Sequence, residues 1–242
     1  MNDRPRYRLF VDAPLAAGAP VALDEGQAHY LGNVLRLDDG DQVCAFNGRE
    51  GEWRAAFGRI GKKGGALTPL DLLAAQPVEA ETTLVFAPIR GAKVEFVAEK
   101  ATELGATRLV PAITRRTVID RANGARMRAN AIEAAEQCGR LAIPGIAEIR
   151  KLDQVLGDWD PAVPLFFCDE DGNVPPLLEA AKGLGESPAA VLIGPEGGFD
   201  PVERVLLKRL PFVRPVGLGR RILRAETAAI AALALIEAAR LG

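Results

Sequence analysis

The 242-residue chain has one histidine, His29, one serine, Ser187, and three widely spaced cysteines, Cys44, Cys138 and Cys168. Each scarcity removes a class of chemistry. A Ser-His triad would have to recruit both single residues, and Ser187 falls in the linker-like Gly185-Glu186-Ser187-Pro188, so serine-hydrolase chemistry is close to excluded. A multi-histidine metal site cannot be built, and no metal is expected. The cysteines form no CxxC pair, which argues against a disulfide framework or zinc knuckle and leaves them as ordinary buried or semi-buried thiols. The longest apolar stretch, residues 227–236 between Glu226 and Glu237, is too short to span a bilayer. No membrane contact is expected. The first residues carry Arg4, Arg6 and Arg8 without an apolar run behind them, so they do not read as a secretory signal and the protein should stay in the cytosol.

A formal net charge of -2 gives no sign of a nucleic-acid partner, but its distribution does. Residues 204–224 hold seven basic side chains and no acid, and residues 108–128 hold six against Asp120 alone. Twenty-three of the thirty basic residues are arginine, the side chain suited to bidentate phosphate contacts.

The first 75 residues read as short extended pieces, at 8–11, 42–46 and 53–60, with Asn47-Gly48 as a hairpin signal and one helix over 25–35. A polar, proline-bearing stretch over 74–81 reads as a linker. Strands and helices then alternate: a strand at 83–87, a helix over 93–104, a strand at 108–113 and a helix from 124. Further segments follow at 163–168, 174–182, 190–193, 202–210 and 212–216, before a final apolar helix from 224. The pattern predicts a β-rich domain over 1–75 and an α/β domain with a mostly parallel sheet over 76–242.

Two turns in the last fifty residues each join a strand end to a helix start: Gly194-Pro195-Glu196-Gly197-Gly198-Phe199, and Leu218-Gly219-Arg220-Arg221-Ile222-Leu223-Arg224-Ala225-Glu226. Glycines there let backbone amides close around a small ligand. Neither turn is a phosphate-binding P-loop, and Gly217-Leu218-Gly219 lacks the third glycine of a dinucleotide fingerprint, since Ile222 stands in its place.

In these residues the chain resembles the RsmE family, bacterial 16S rRNA (uracil-N3)-methyltransferases of the SPOUT superfamily. The resemblance rests on 193–199 and 218–228, on Glu99-Lys100-Ala101-Thr102-Glu103-Leu104-Gly105, on Pro111 with Arg115-Arg116, and on 133–140 followed by Ile143-Pro144. His29-Tyr30-Leu31, Val34-Leu35-Arg36 and Gly40-Asp41 are similar to the family's opening motif, although a second histidine is expected at Tyr30 and a residue other than arginine is common at Arg220.

The resemblance implies a small PUA-like barrel, then a sheet with a deep trefoil knot, and a homodimer. It implies S-adenosyl-L-methionine as cofactor, held by Ile193, Gly194, Pro195, Glu196, Gly197, Gly198, Leu218, Gly219, Ile222 and Leu223. It implies N3 of a uridine in 16S rRNA as methyl acceptor, with the assembled small ribosomal subunit as substrate. Transfer to N3 requires either a base for its proton, for which Glu196 and Glu226 are candidates, or positive charge that stabilises the uracil anion, for which Arg221, Arg224 and Arg115-Arg116 are candidates. An acid at Glu226 is also favoured simply by the helix dipole. Arg8, Arg36, Arg115, Arg116 and Arg140 are expected to contact RNA. Competing readings are a noncatalytic RNA-binding or ribosome-assembly protein, a different nucleotide-dependent enzyme, and a methyltransferase with another RNA target.

Overall fold

A computed structural model describes residues 4–91, 93–119, 121–170 and 173–241. The chain divides into two units, Met1–Val78 with Ala135–Ile143, and Glu79–Ala134 with Pro144–Gly242.

The first unit is built on a five-stranded sheet. Strands β1 (Arg8–Phe10) and β2 (Val21–Ala22) precede helix α1 (Glu25–His29), and β3 (Gln42–Phe46), β4 (Glu52–Ile60) and β5 (Gly64–Ala74) follow. The strand order is β1-β3-β4-β5-β2, antiparallel except for the parallel pair β1·β3. The Asn47-Gly48 signal marks the β3–β4 connection, where the Asn47 side chain accepts the amides of Arg49 and Glu50. Leu31, Val43, Ala45, Ala55, Phe57 and Leu67 fill the core of this unit.

The helix expected over 25–35 is α-helical only to His29. A capping box starts it, with Asp24 and Gln27 each accepting the other's backbone N–H. From Tyr30 to Val34 it widens into a π turn, Leu35 N–H donating to Tyr30 O at 2.9 Å. Arg36 then takes a left-handed conformation, φ 59°, and Leu37 N–H donates to Leu31 O at 3.0 Å. This is the position glycine usually fills at a helix end.

Arg8 does not face solvent as an RNA contact would. Its Nε donates to Glu52 at 2.7 Å, its Nη atoms donate to the carbonyls of Ala135, Glu136 and Arg140, and its guanidinium sits 4.4 Å from the Phe46 ring centroid. With Arg4 also on Glu52, Arg8 neutralises a buried acid and closes the carbonyl end of a helix.

The second unit begins with β6 (Thr82–Phe86), α2 (Lys93–Glu103), β7 (Arg108–Ile113) and α3 (Gly124–Cys138), whose last residues group with the first unit. It continues through the two-residue strands β8 (Gly145–Ile146) and β9 (Arg150–Lys151) to α4 (Leu152–Gly157), β10 (Leu165–Cys168) and α5 (Leu177–Ala180). β11 (Ala189–Ile193), α6 (Pro201–Arg209), β12 (Val213–Val216) and α7 (Ala225–Leu241) complete it. The sheet runs β12-β10-β11-β6-β7-β8, with β9 also on β7, and every pairing is parallel.

Every residue of β11 is buried, as a central parallel strand requires. Its side chains alternate between two cores. Val191 and Ile193 join Leu84, Phe86 and Phe166 under α2 and α7, whereas Ala190 and Leu192 join Val85, Leu165 and Phe167 beneath α4 and α6. The segment expected as helix over 174–182 is helical only over Leu177–Ala180. Pro175 and Pro176 lack amide donors and bias the residue before each away from helix, and Gly183 at φ 77° ends the turn. No helix among the described residues is long and apolar enough to cross a membrane.

Glu52 is 2% exposed on its side chain and anchors both Arg4 and Arg8. Glu52→Ala is expected to cost on the order of 3 kcal/mol by leaving Arg8 uncompensated, read as a lower urea midpoint at unchanged slope.

Candidate active site

The C-terminal ends of the adjacent strands β11, β10 and β12 open into a cleft of about 700 Å³. In parallel sheets this is the edge where ligands bind, because the loops leaving it carry helix starts and free amides. Three loops wall the cleft: residues 168–170 after β10, 193–199 after β11, and 217–225 between β12 and α7.

The second loop is shaped by one ring. Phe199 is 5% exposed and packs edge-on against Phe167 at 4.8 Å between centroids. It lies so close to Gly194 that a Cβ there would approach its ring to 2.6 Å. Pro195 O accepts the Gly198 N–H at 2.9 Å, closing a tight turn, and Gly198 sits at φ 66° with the Glu170 side chain against it. Any side chain at Gly198 would be strained by that φ and would have to displace the Glu170 carboxylate. Gly219, at φ 123°, has no atom within 4 Å of where a Cβ would stand.

The structure brings Ile193, Gly194, Pro195, Glu196, Gly198, Leu218, Gly219, Ile222 and Leu223 together on the cleft wall, with Arg221 and Arg224 beside them. Gly197 is not on that wall. It is exposed, its carbonyl accepts from Arg116 Nη1 at 3.0 Å, and a Cβ there would meet only Arg116 at ordinary contact distance.

Glu226 also stands off the wall, paired with Lys93 at 2.9 Å. Burial pushes its carboxyl up, but Lys93 and the Glu226 backbone amide outweigh that and hold it below the usual carboxylate range. It is a helix-start acid tied to α2. Arg220, Arg221 and Arg224 are exposed at the cleft and form no ion pair among the described residues.

Residues missed from sequence form the third wall. Asp169 has a fully buried side chain held by Arg204 and by Lys208 at 2.8 Å, both from α6, and Glu170 lies over Gly198. An apolar strand ending in Cys168-Asp169-Glu170 was the available signal. Arg115 and Arg116 sit on the turn after β7. Buried Glu203 accepts the Arg115 N–H at 2.7 Å, and Arg115 lies 3.8 Å from Asp200. Arg36 is exposed, while Arg140 is half-buried with its carbonyl on Arg8.

Backbone amides, an apolar wall from Ile193, Leu218, Ile222 and Leu223, a buried acid and a cationic rim suit a ligand that is part apolar and part charged. Among the described residues no group of three or more His, Cys, Asp or Glu could hold a metal ion.

A family model of an RNA methyltransferase domain matches residues 76–237, and one of an RNA methyltransferase PUA domain matches residues 23–70. The ribosomal RNA small subunit methyltransferase E of Rickettsia conorii is 32% identical over 231 residues, 95% of this chain and 94% of its own. The chain belongs to this methyltransferase family. A Legionella pneumophila protein, described as a methyltransferase in complex with the bound cofactor SAM, superposes with a TM-score of 0.86 at 29% identity, over 96% of this chain and 97% of that one. The methyltransferase E of Neisseria gonorrhoeae, bound to S-adenosyl methionine, does so with a TM-score of 0.81 at 26% identity, over 96% and 97%.

Burial alone pushes the Cys168 thiol up to about 12, and burial followed by Glu52 pushes Cys44 up to about 11. Both are held protonated at neutral pH, which makes them poor nucleophiles. Thiol labelling with Ellman's reagent at pH 8 is expected to modify exposed Cys138 rapidly and half-buried Cys168 on the cleft wall slowly, and to reach buried Cys44 only on unfolding.

Proposed function

We propose that the protein transfers a methyl group from S-adenosyl-L-methionine to N3 of one unpaired uridine in 16S rRNA, as part of the small ribosomal subunit, in the cytoplasm. The observation that carries this reading is the cleft itself, with the two glycine turns on one edge of the sheet beside three arginines that form no ion pair among the described residues. Its residues fit the cofactor. Adenosylmethionine carries no phosphate, so neither a P-loop nor a dinucleotide fingerprint is needed, and the open space above Gly219 leaves room for close main-chain approach.

When bound, the cofactor supplies an electrophilic methyl group. The chain's own work is to align the uracil nitrogen with it and to manage the N3 proton. That proton faces the Watson-Crick edge, so the base must be unpaired or flipped to reach the cleft. Of the two candidate acids, Glu196 lines the cleft and Glu226 is engaged by Lys93. Glu196 is therefore the proton acceptor in this proposal, and Arg221 and Arg224 stabilise the anion that forms. Arg115 and Arg116 contact RNA phosphate on the turn that also grips Gly197.

The trefoil knot and the homodimer belong to the same proposal. The uncovered apolar side chains Val202, Val205 and Leu206 on one face of α6 support a second copy. Sedimentation should give twice the chain mass.

The direct test supplies labelled adenosylmethionine and small subunits lacking the modification, then maps the product by reverse transcription. One new stop at a single uridine is expected. Methyl incorporation at a ribose or at a different base would reject the N3 assignment.

Glu196→Gln should lower kcat at least about 100-fold near neutral pH with cofactor affinity intact. The deficit should shrink as pH rises and uracil loses its proton unaided; a deficit independent of pH would count against proton acceptance. Gly198→Ala should reduce cofactor affinity at least tenfold by calorimetry, whereas Gly197→Ala should leave it within about twofold.

A further inference from the structure

The first unit holds a second concavity, of about 290 Å³, between α1 with its π turn and the β4–β5 hairpin. Ala28 and Phe57, 6% and 2% exposed, give it an apolar floor. His29 and Asn33 stand in its wall, and Lys62 and Lys63 at the hairpin tip line it from the opposite element. We propose that this pocket seats one unpaired nucleotide of the RNA substrate, apart from the uridine that is methylated. The proposal rests on the reading of this protein as an RNA methyltransferase.

Three independent features support it. The first is polarity. Asn33 Nδ2 lies 2.8 Å from His29 Nδ1, so one ring nitrogen is engaged and Nε2 has no partner among the described residues. An imidazole fixed at one nitrogen and open at the other, beside a carboxamide, can address the edge of a base.

The second is charge. Lys62 forms no ion pair among the described residues. Lys63 pairs with Glu25 at 2.9 Å, but their side chains are 82% and 71% exposed, and such a pair exchanges readily for a phosphate. Gly61, at φ 62°, and Gly64 flank the two lysines, so no neighbouring side chain crowds the tip. Arg59 also lines the pocket, but its guanidinium is committed to the carbonyls of Gly32 and Leu37 and holds the wall in place.

The third is conformational cost. A π turn is an uncommon distortion found mostly at functional sites, and here it directly follows His29 and contains Asn33. Arg36 ends that turn in a left-handed backbone conformation, φ 59°, that non-glycine residues seldom adopt. The volume is at the small end for ligand sites, which suits a single nucleotide and not a length of strand.

His29 is the only histidine in the sequence, so its ring gives a single pair of carbon-bound proton resonances in untagged, ring-labelled protein. The full chain is titrated with a mixed-sequence single-stranded RNA decamer, with binding followed in parallel by fluorescence anisotropy. The His29 resonances are expected to shift saturably with the same midpoint as the anisotropy. The same strand locked in a duplex should shift them at least tenfold less effectively. The Lys62→Ala/Lys63→Ala double variant should bind about tenfold more weakly. Its salt slope should be reduced by about 1.4, the value for two lost contacts to a single strand, with adenosylmethionine affinity unchanged. RNA that binds without moving the His29 resonances, or binds the double variant equally well, overturns the pocket and leaves the methyltransferase reading standing. Absence of any RNA binding together with absence of methyl transfer would overturn both.

Discussion

The contact on which the candidate active site depends is that of the Phe199 ring with Gly194. The ring is buried edge-on against Phe167 and leaves no space for a side chain at Gly194. That packing ties the start and the end of the loop after β11 to the core on one face of the sheet. The residues between, Pro195 to Gly198, must turn tightly, and the glycine at φ 66° makes the turn possible. A mobile loop would lose its amides to water; a loop pinned by a buried aromatic presents them to a ligand in advance.

Charge organises the same region. Asp169 has no exposure of its own and would be strongly unfavourable alone, yet Arg204 and Lys208 from α6 meet it. The start of α6 also carries Glu203, whose carboxylate accepts the amides of Arg115 and Asp200. One helix therefore fixes the acid in the cleft and the arginine turn that reaches Gly197. Arg115 and Arg116, expected to meet RNA, are thus mechanically joined to the loop expected to meet the cofactor.

The segments best read from sequence were those whose environment is set locally. The fully buried β11 is a continuous apolar run, as is β7 after its exposed first residue Arg108, and a central parallel strand needs nothing else. The two glycine turns were legible because each is contiguous. The wall formed by Cys168, Asp169 and Glu170 was not, since it joins the cleft only through the pairing of β10 between β11 and β12. Arg8 read as a surface cation because its partners at Ala135, Glu136 and Arg140 lie more than a hundred positions away. Residues 135–143 group with the first unit for the same reason, a relation that helical periodicity cannot report. The π turn was hidden because its residues keep helix-like spacing while the hydrogen-bond register lengthens by one.

The central claim is that three loops on the edge of the parallel sheet hold the methyl donor largely through their main chain. The most direct measurement is a crystal structure of this protein grown with S-adenosyl-L-methionine. Density for the cofactor between residues 168–170, 193–199 and 217–225, with its nearest polar contacts to backbone groups, is the predicted result. Cofactor density outside that cleft, or an empty cleft at saturating cofactor, would contradict it.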